Sequence, residues 1–435
     1  MSMTTHNKKS DALIIIIFIA VLFGIGLTVF LYFKNQTDQT IVTSVNRDTQ
    51  IRFGWWGNDI RHKYTLTGID HFNQSHDGIT VDCEYSVWSG YEYRYRVYML
   101  SGTEPDVMQI NFDWLSQYSP DGNGYYDLNK LSDIIDLSSY SAKDLSYGTV
   151  QGKLNALPIA YNAIVFYYNQ DILDQYGLEV PRTWDDLFAA ADVLSKDGIS
   201  VVCMNQKHLF LTLIAWYEQT TGKKVFSNDG RYVGGKEAAE AMLSFYKKLA
   251  DRHVFPVSSS RDCTDFSNGT CAGAAMWAND SSRYCDPLSD KDVKLTLADP
   301  PAASGAKLKG WYVKPATMYA ISINTSHPED SAELLNYLVN DPGMAVLQRN
   351  EKGIPVSSAA RKTLERAGLM KGHDADAGEY VLKHLDDMDS MIPSMENGDV
   401  LTAVTDAADK YYYGQADLDS CATELDTSLE PLLNS

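Results

Sequence analysis

The sequence predicts an α/β protein of two doubly wound lobes, preceded by a transmembrane helix and closed by a helical C-terminal tail. Three observations carry that expectation. Strand-like and helix-like segments alternate from residue 51 to about residue 325, the order that βαβ units with helices on both sheet faces require. Past residue 328 only helical periodicity remains. Finally, 435 residues exceed what one core accommodates and suit two or three lobes of roughly 100–200 residues.

Residues 12–33, ALIIIIFIAVLFGIGLTVFLYF, carry no charge and reach about 33 Å as a helix, enough to cross a bilayer core. Lys8 and Lys9 precede them, so residues 1–11 are expected in the cytoplasm and the remainder outside. The rival reading is a cleaved signal peptide. Its apolar run would be shorter and would end in small residues, whereas this one ends in Phe30-Leu31-Tyr32-Phe33. Residues 34–50, polar and Thr-rich, read as a linker.

The outer part opens on the strand IRFGWW (51–56), then a helix at 60–75, a strand at 79–87, a helix at 89–101 and a strand at 106–112. An extended segment, 156–169, leads to helices at 183–196 and 236–251 and strands near 200–203, 273–277 and 294–298. Residues 310–323 alternate like one more strand pair.

A net charge of −20 disfavours nucleic acid, whose phosphates such a surface repels. No G-x-G-x-x-G follows a strand, and there is no P-loop, H-E-x-x-H or G-x-S-x-G. No cofactor or metal is therefore expected; with 57 acidic residues a catalytic carboxylate pair stays open, but no particular pair stands out. Cys263, Cys271 and Cys285 fit no zinc spacing. Free thiols, or one local disulfide (Cys263–Cys271 or Cys271–Cys285), are the two readings left open.

Candidate ligand contacts come from loops at the carboxyl ends of strands, where open α/β sheets bind. Neighbouring Trp55 and Trp56 must face opposite sides of their strand, and Trp56 is assigned to the cleft with Asn58 and Asp59 behind it. Asp113 and Trp114 follow the third strand, Asp113 having a helix N-cap as its alternative role. Tyr161 and Asn162 lie in the 156–169 segment, His208 and Trp216 flank an apolar helix, Asn279 and Asp280 follow the strand 273–277, and Trp311 follows Gly310.

Six segments in order resemble one known family. They are SGTEPDV (101–107), LPIAYNAIVFYYNQDIL (157–173), Pro181-x-Thr-Trp-Asp-Asp-Leu, FSNGTCAGAAM (266–276), ISINTSHPEDSAELLNYLVN (321–340) and G-I-P-V (353–356). The chain resembles the extracellular solute-binding proteins of ABC importers, in their carbohydrate-binding, maltose-binding-protein-like branch. That resemblance implies two lobes joined by hinge strands, 51–157 plus 297–325 and 158–296 plus 326–435. It also implies closure around a carbohydrate, delivery to the permease subunits, and a monomer that performs no chemistry. Locally matched ligand positions are Asn58, Asp59, Asp113, Asn162, His208 and 279–282. The chain departs from the family pattern at Asn162 and His208, and no lipid-attachment Cys follows the apolar run. Competing functions are an extracellular carbohydrate-active enzyme, or a binding protein for a polyamine or peptide.

Overall fold

Twelve strands are described: β1 (Thr49–Trp56), β2 (Ile79–Ser86), β3 (Val107–Ile110), β4 (Thr149–Val150), β5 (Lys153–Leu154), β6 (Ala156–Asn169), β7 (Cys203–Met204), β8 (Gly273–Trp277), β9 (Leu295–Ala298), β10 (Tyr312–Ile321), β11 (Ile354–Pro355) and β12 (Asp389–Ser390). The structure, a computed structural model, describes residues 49–227, 230–257 and 262–433. The expected cytoplasmic tail, the anchor at 12–33 and linker residues 34–48 lie outside the described residues. Among those described, no helix is long and apolar enough to cross a membrane.

The sheet is ordered β2-β1-β3-β10-β6-β8-β7, with β9 and β11 also on β6 and β12 on β10. It is mixed, whereas the βαβ order by itself leads to a parallel sheet. β1 runs parallel to β2 and β3, and β7 parallel to β8, but β10 is antiparallel to β3 and β6, and β6 to β8 and β9. β4 and β5 form a separate antiparallel pair, and the antiparallel pairs of this sheet all involve β6 or β10. These two strands join the halves of the sheet in opposite directions, so they cannot both align with the βαβ strands beside them.

β6 explains the division. All fourteen of its residues are buried, as a strand covered on both faces requires. Ala156–Ala163 pair with β10, whereas Ile164–Tyr168 pair with β8 and Phe166–Asn169 with β9. The partner changes between Ala163 and Ile164, one residue beyond Asn162. Residues 312–321 form a single strand rather than the expected pair, its register shifting on both sides of Thr317.

The C-terminal block expected in the second lobe divides between the two halves. Helices Pro328–Asn340 and Pro342–Gln348 pack on the first half: Tyr337 meets Phe72 edge-on, and Asn336 Oδ1 accepts from the Asp136 amide. Only a short turn separates the first of them from β10, so it must cover β10's own neighbours. Helices Gly398–Tyr412 and Leu418–Leu433 pack on the second half against helix Gly235–Asp251.

Within the first half, Ile51, Phe53 and Trp55 point into the core and Trp56 stands half-exposed. Trp55 stacks between Phe53 and Tyr85 at 4.9 and 4.8 Å. Gly54 is required because a Cβ there would lie 1.4 Å from the Tyr95 hydroxyl. Tyr91 and Tyr95, four residues apart on helix Trp88–Ser101, stack at 3.7 Å, and the Tyr91 hydroxyl donates to the Gln109 carbonyl at 2.6 Å. Residues 91–96, YEYRYR, thus present one half-buried helical face.

Candidate functional site

The site begins with one register pair. Lys314 of β10 lies opposite Asn162 of β6, so both side chains leave the same face of the sheet where its halves meet. Asn162 is buried and donates from Nδ2 to Asn279 Oδ1 at 2.9 Å. Asn279 belongs to the turn directly after β8, and Trp277 at the end of that strand lies 5.0 Å from the Lys314 ammonium. Gly353, at φ +103°, brings the loop before β11 beneath this turn; a Cβ there would stand 2.9 Å from the Tyr161 carbonyl.

Lys314 is deeply buried, and Glu396 balances it at 3.0 Å. Lys207, in the first turn of helix Gln206–Thr221, approaches the same carboxylate at 2.9 Å. Burial alone would raise the Glu396 carboxyl, but Lys314 and Lys207 outweigh it and hold it at about 2. Burial lowers the Lys314 ammonium, with Glu396 opposing.

Two more carboxyls face this cluster. Burial, reinforced by the nearby Glu396 charge, pushes Asp113 up to about 6, with Lys207 and Lys314 opposing. Asp113 accepts from Asn111 Nδ2 at 2.6 Å and makes no side-chain cap to the helix that follows. From the second half of the sheet, burial raises Asp280, offset in part by Arg283, Arg61 and Lys314. Asp113 and Asp280 thus share Lys314 as an electrostatic neighbour.

His208 is buried with its ring edge-on to Trp277 at 4.9 Å, and neither ring nitrogen makes a well-formed hydrogen bond. Burial first, then Lys207, lowers its imidazole to about 3 and keeps it neutral. At the open side, Trp56 meets Trp88 at 4.9 Å and Tyr91 at 5.2 Å.

The structure therefore gathers Asp113, Asn162, His208, Asn279 and Asp280 around Lys314, with Trp56 beside the Asp113 loop. Four other expected contacts stand in packing surroundings. Trp114 is buried against Tyr91, Tyr95 and Tyr118. Tyr161 sits one residue from Asn162 on the strand, so it takes the opposite face, edge-on to Tyr147. Trp311 is buried near Trp184 and Phe166 and donates to the Pro301 carbonyl at 3.2 Å. Trp216 lies flat on Phe245 at 4.1 Å, joining two helices. Replacing Trp216 by Ala is expected to cost about 1–2 kcal/mol in urea unfolding, the loss of a half-buried stacked pair.

Asn58 and Asp59 are exposed, and Asn58 caps helix Asp59–Ser75 by accepting from the Arg61 amide at 3.0 Å. From this loop the side chain that faces Asp280 is Arg61, whose Nη2 donates to the Glu351 carbonyl at 2.6 Å. Sequence reasoning missed Lys207, Lys314, Glu396 and Trp277. One signal was present: Lys314 is a lone charge in the apolar run GWYVKPATMYAISI. Glu396 offers none. Among the described residues, no group of His, Cys, Asp and Glu could hold a metal ion.

Residues 68–370 match the family model of the bacterial extracellular solute-binding proteins. The chain belongs to that family. It is 31% identical to a periplasmic oligogalacturonide-binding protein of Yersinia enterocolitica solved with saturated digalacturonic acid (TM-score 0.80, 88% of this chain and 98% of that one). It is 30% identical to a de novo designed cysteine esterase (TM-score 0.80, 90% and 99%). A maltodextrin-binding protein of Bacillus subtilis is 25% identical over 60% of this chain. The first curated relatives are matched over only 58% and 63% of their own lengths. The family's members are extracellular binding proteins, and the fold is the periplasmic-binding-protein type.

Proposed function

We propose that this chain is a membrane-tethered extracellular receptor that binds an oligosaccharide and presents it to an ABC importer. The single observation that carries this is the polar array on the Asn162–Lys314 pair, to which both halves of the sheet contribute. A pyranose has a rim of hydroxyls and an apolar C–H face. Asp113, Asp280 and the two Asn side chains suit the rim, and the indoles of Trp56, Trp88 and Trp277 suit the face. Closure about β6 and β10 would bury the ring from both sides, and a ligand drives such closure only by binding the closed form better. The relatives that bind maltodextrin and digalacturonic acid support a sugar ligand.

Lys207, Lys314 and Arg61 stand against Asp113, Asp280 and Glu396, which leaves the array near neutrality and suits an uncharged ring. Thermal unfolding is to be measured with neutral maltodextrins, oligogalacturonides, polyamines and peptides in turn. A true ligand at 100 times its Kd adds about 2.7 kcal/mol of stability. A shift with amines or peptides and none with any sugar would overturn the proposal. So would cleavage of an oligosaccharide during the incubation, because the reading includes no chemistry.

A further inference from the structure

The fold brings together three cysteines that the site does not use. Cys203 lies on β7, Cys263 opens the short helix Thr264–Ser267, and Cys271 immediately precedes β8; all three are buried free thiols. Cys263 Sγ stands 3.7 Å from the Cys203 carbonyl and 3.5 Å from that of Ala275, while Cys203 Sγ stands 3.5 Å from the Gly273 carbonyl. Cys271 Sγ stands 3.4 Å from the Ser200 carbonyl, and its thiol also bears on that of Cys203.

Register separates the possible pairs. Cys203 lies opposite Ala274 and Ser200 opposite Cys271, which places Cys271 three residues along the ladder from Cys203. At about 3.3 Å per residue, that offset is roughly 10 Å against the ~7 Å that a disulfide spans between Cα atoms, so although the two thiols interact, a Cys203–Cys271 bond would have to pull the ladder out of register. Cys263 is under no such constraint, because it comes from a separate segment lying over the Cys203 and Ala275 backbone.

We propose that Cys203 and Cys263 close into a disulfide as the chain folds outside the cytoplasm, with Cys271 left as a thiol. The oxidant is a small-molecule or protein disulfide. The Cys203 thiolate attacks one of its sulfurs and expels a thiolate; Cys263, deprotonated, then attacks Cys203 Sγ and expels the second. Two protein thiols lose two electrons and two protons, and the oxidant leaves as two thiols. Thiol hydrogen bonds from Cys263 and Cys271 oppose the effect of burial on Cys203 and favour it as the first nucleophile. The bond would pin the segment carrying the short helix to β7, beside the strand that ends in Trp277.

The test uses detergent-solubilised full-length protein, denatured and alkylated without reductant, then digested and mapped by mass spectrometry. The expected result is a linked Cys203–Cys263 peptide pair and four alkylated cysteines, Cys83, Cys271, Cys285 and Cys421. Reductant should lower the melting temperature by about 5 °C, and Cys271→Ala should retain that sensitivity while Cys203→Ala and Cys263→Ala lose it. Six alkylated cysteines, or a pair other than Cys203–Cys263, would overturn the proposal even if Cys203→Ala failed to fold.

Discussion

Glu396→Gln is expected to lower folding stability by about 3–5 kcal/mol, because it leaves a buried lysine without its counter-charge. Lys314 and Glu396 are 5% and 2% exposed at their side chains, so water cannot replace the lost charge. Gln keeps the volume and an acceptor oxygen, which isolates the charge from packing. Lys207, at 24% exposure, can turn to solvent and contributes less. Joining Lys314→Met to Glu396→Gln should recover most of the loss, since both members of the buried pair are then uncharged. Urea unfolding of the two singles and the double would measure the coupling. A cost below about 1 kcal/mol for Glu396→Gln would mean that Lys314 is already neutral in the folded protein.

The second large effect is a gain. Asp113→Asn should stabilise the unliganded protein by roughly 3 kcal/mol at pH 7, from a carboxyl pushed up from 3.8 to about 6. The sign follows from proton binding. Between those two values the folded state holds the Asp113 proton more tightly than the unfolded chain, so this group's contribution falls as pH rises through about 4 to 6. Glu396 acts in the other direction. Its carboxyl is held at about 2 when folded, against 4.5 ordinarily, so its stabilisation is complete above pH 4.5 and is lost as pH falls toward 2. These two groups together give wild-type stability a maximum on the acid side of neutrality, and Asp113→Asn should flatten its upper limb. Melting curves of both proteins from pH 4 to 8 would check this: a difference that does not narrow toward pH 4 would show that the gain has another source. An ionised, poorly compensated carboxylate is costly in the empty protein, and it is the kind of group a ligand hydroxyl can satisfy. Asp113→Asn is therefore also expected to weaken binding of any sugar that the thermal panel identifies.

Much of the fold was legible because its causes are local. The alternation of Ile51, Phe53 and Trp55 against Trp56 follows from the two-residue period of a strand, and the sequence alone separates the core indole from the half-exposed one. Helix Trp184–Leu194 begins where Thr183 and Asp186 form a capping box, and helix Gln206–Thr221 begins where Asn205 caps it, signals contained within four residues. The site was less legible. Trp114 and Trp311 each read as an indole near a turn, and Trp216 as one on an apolar helix; what separates them from Trp56 is the set of rings each one meets, contributed by distant segments.

By itself, the sequence determined most of the order of strands and helices, the family, the loops from which Asp113, Asn279 and Asp280 emerge, and the extended segment that carries Asn162. Only the tertiary structure decided that these converge on one lysine. Lys314 and Glu396 are 82 residues apart, Asn162 and Asn279 are 117 apart, and the Asn162–Lys314 pair depends on the register of two antiparallel strands. Periodicity and capping act over one or two turns of chain, whereas register is fixed by the burial of whole strands at once, so a buried charge finds its partner only when the sheet has formed.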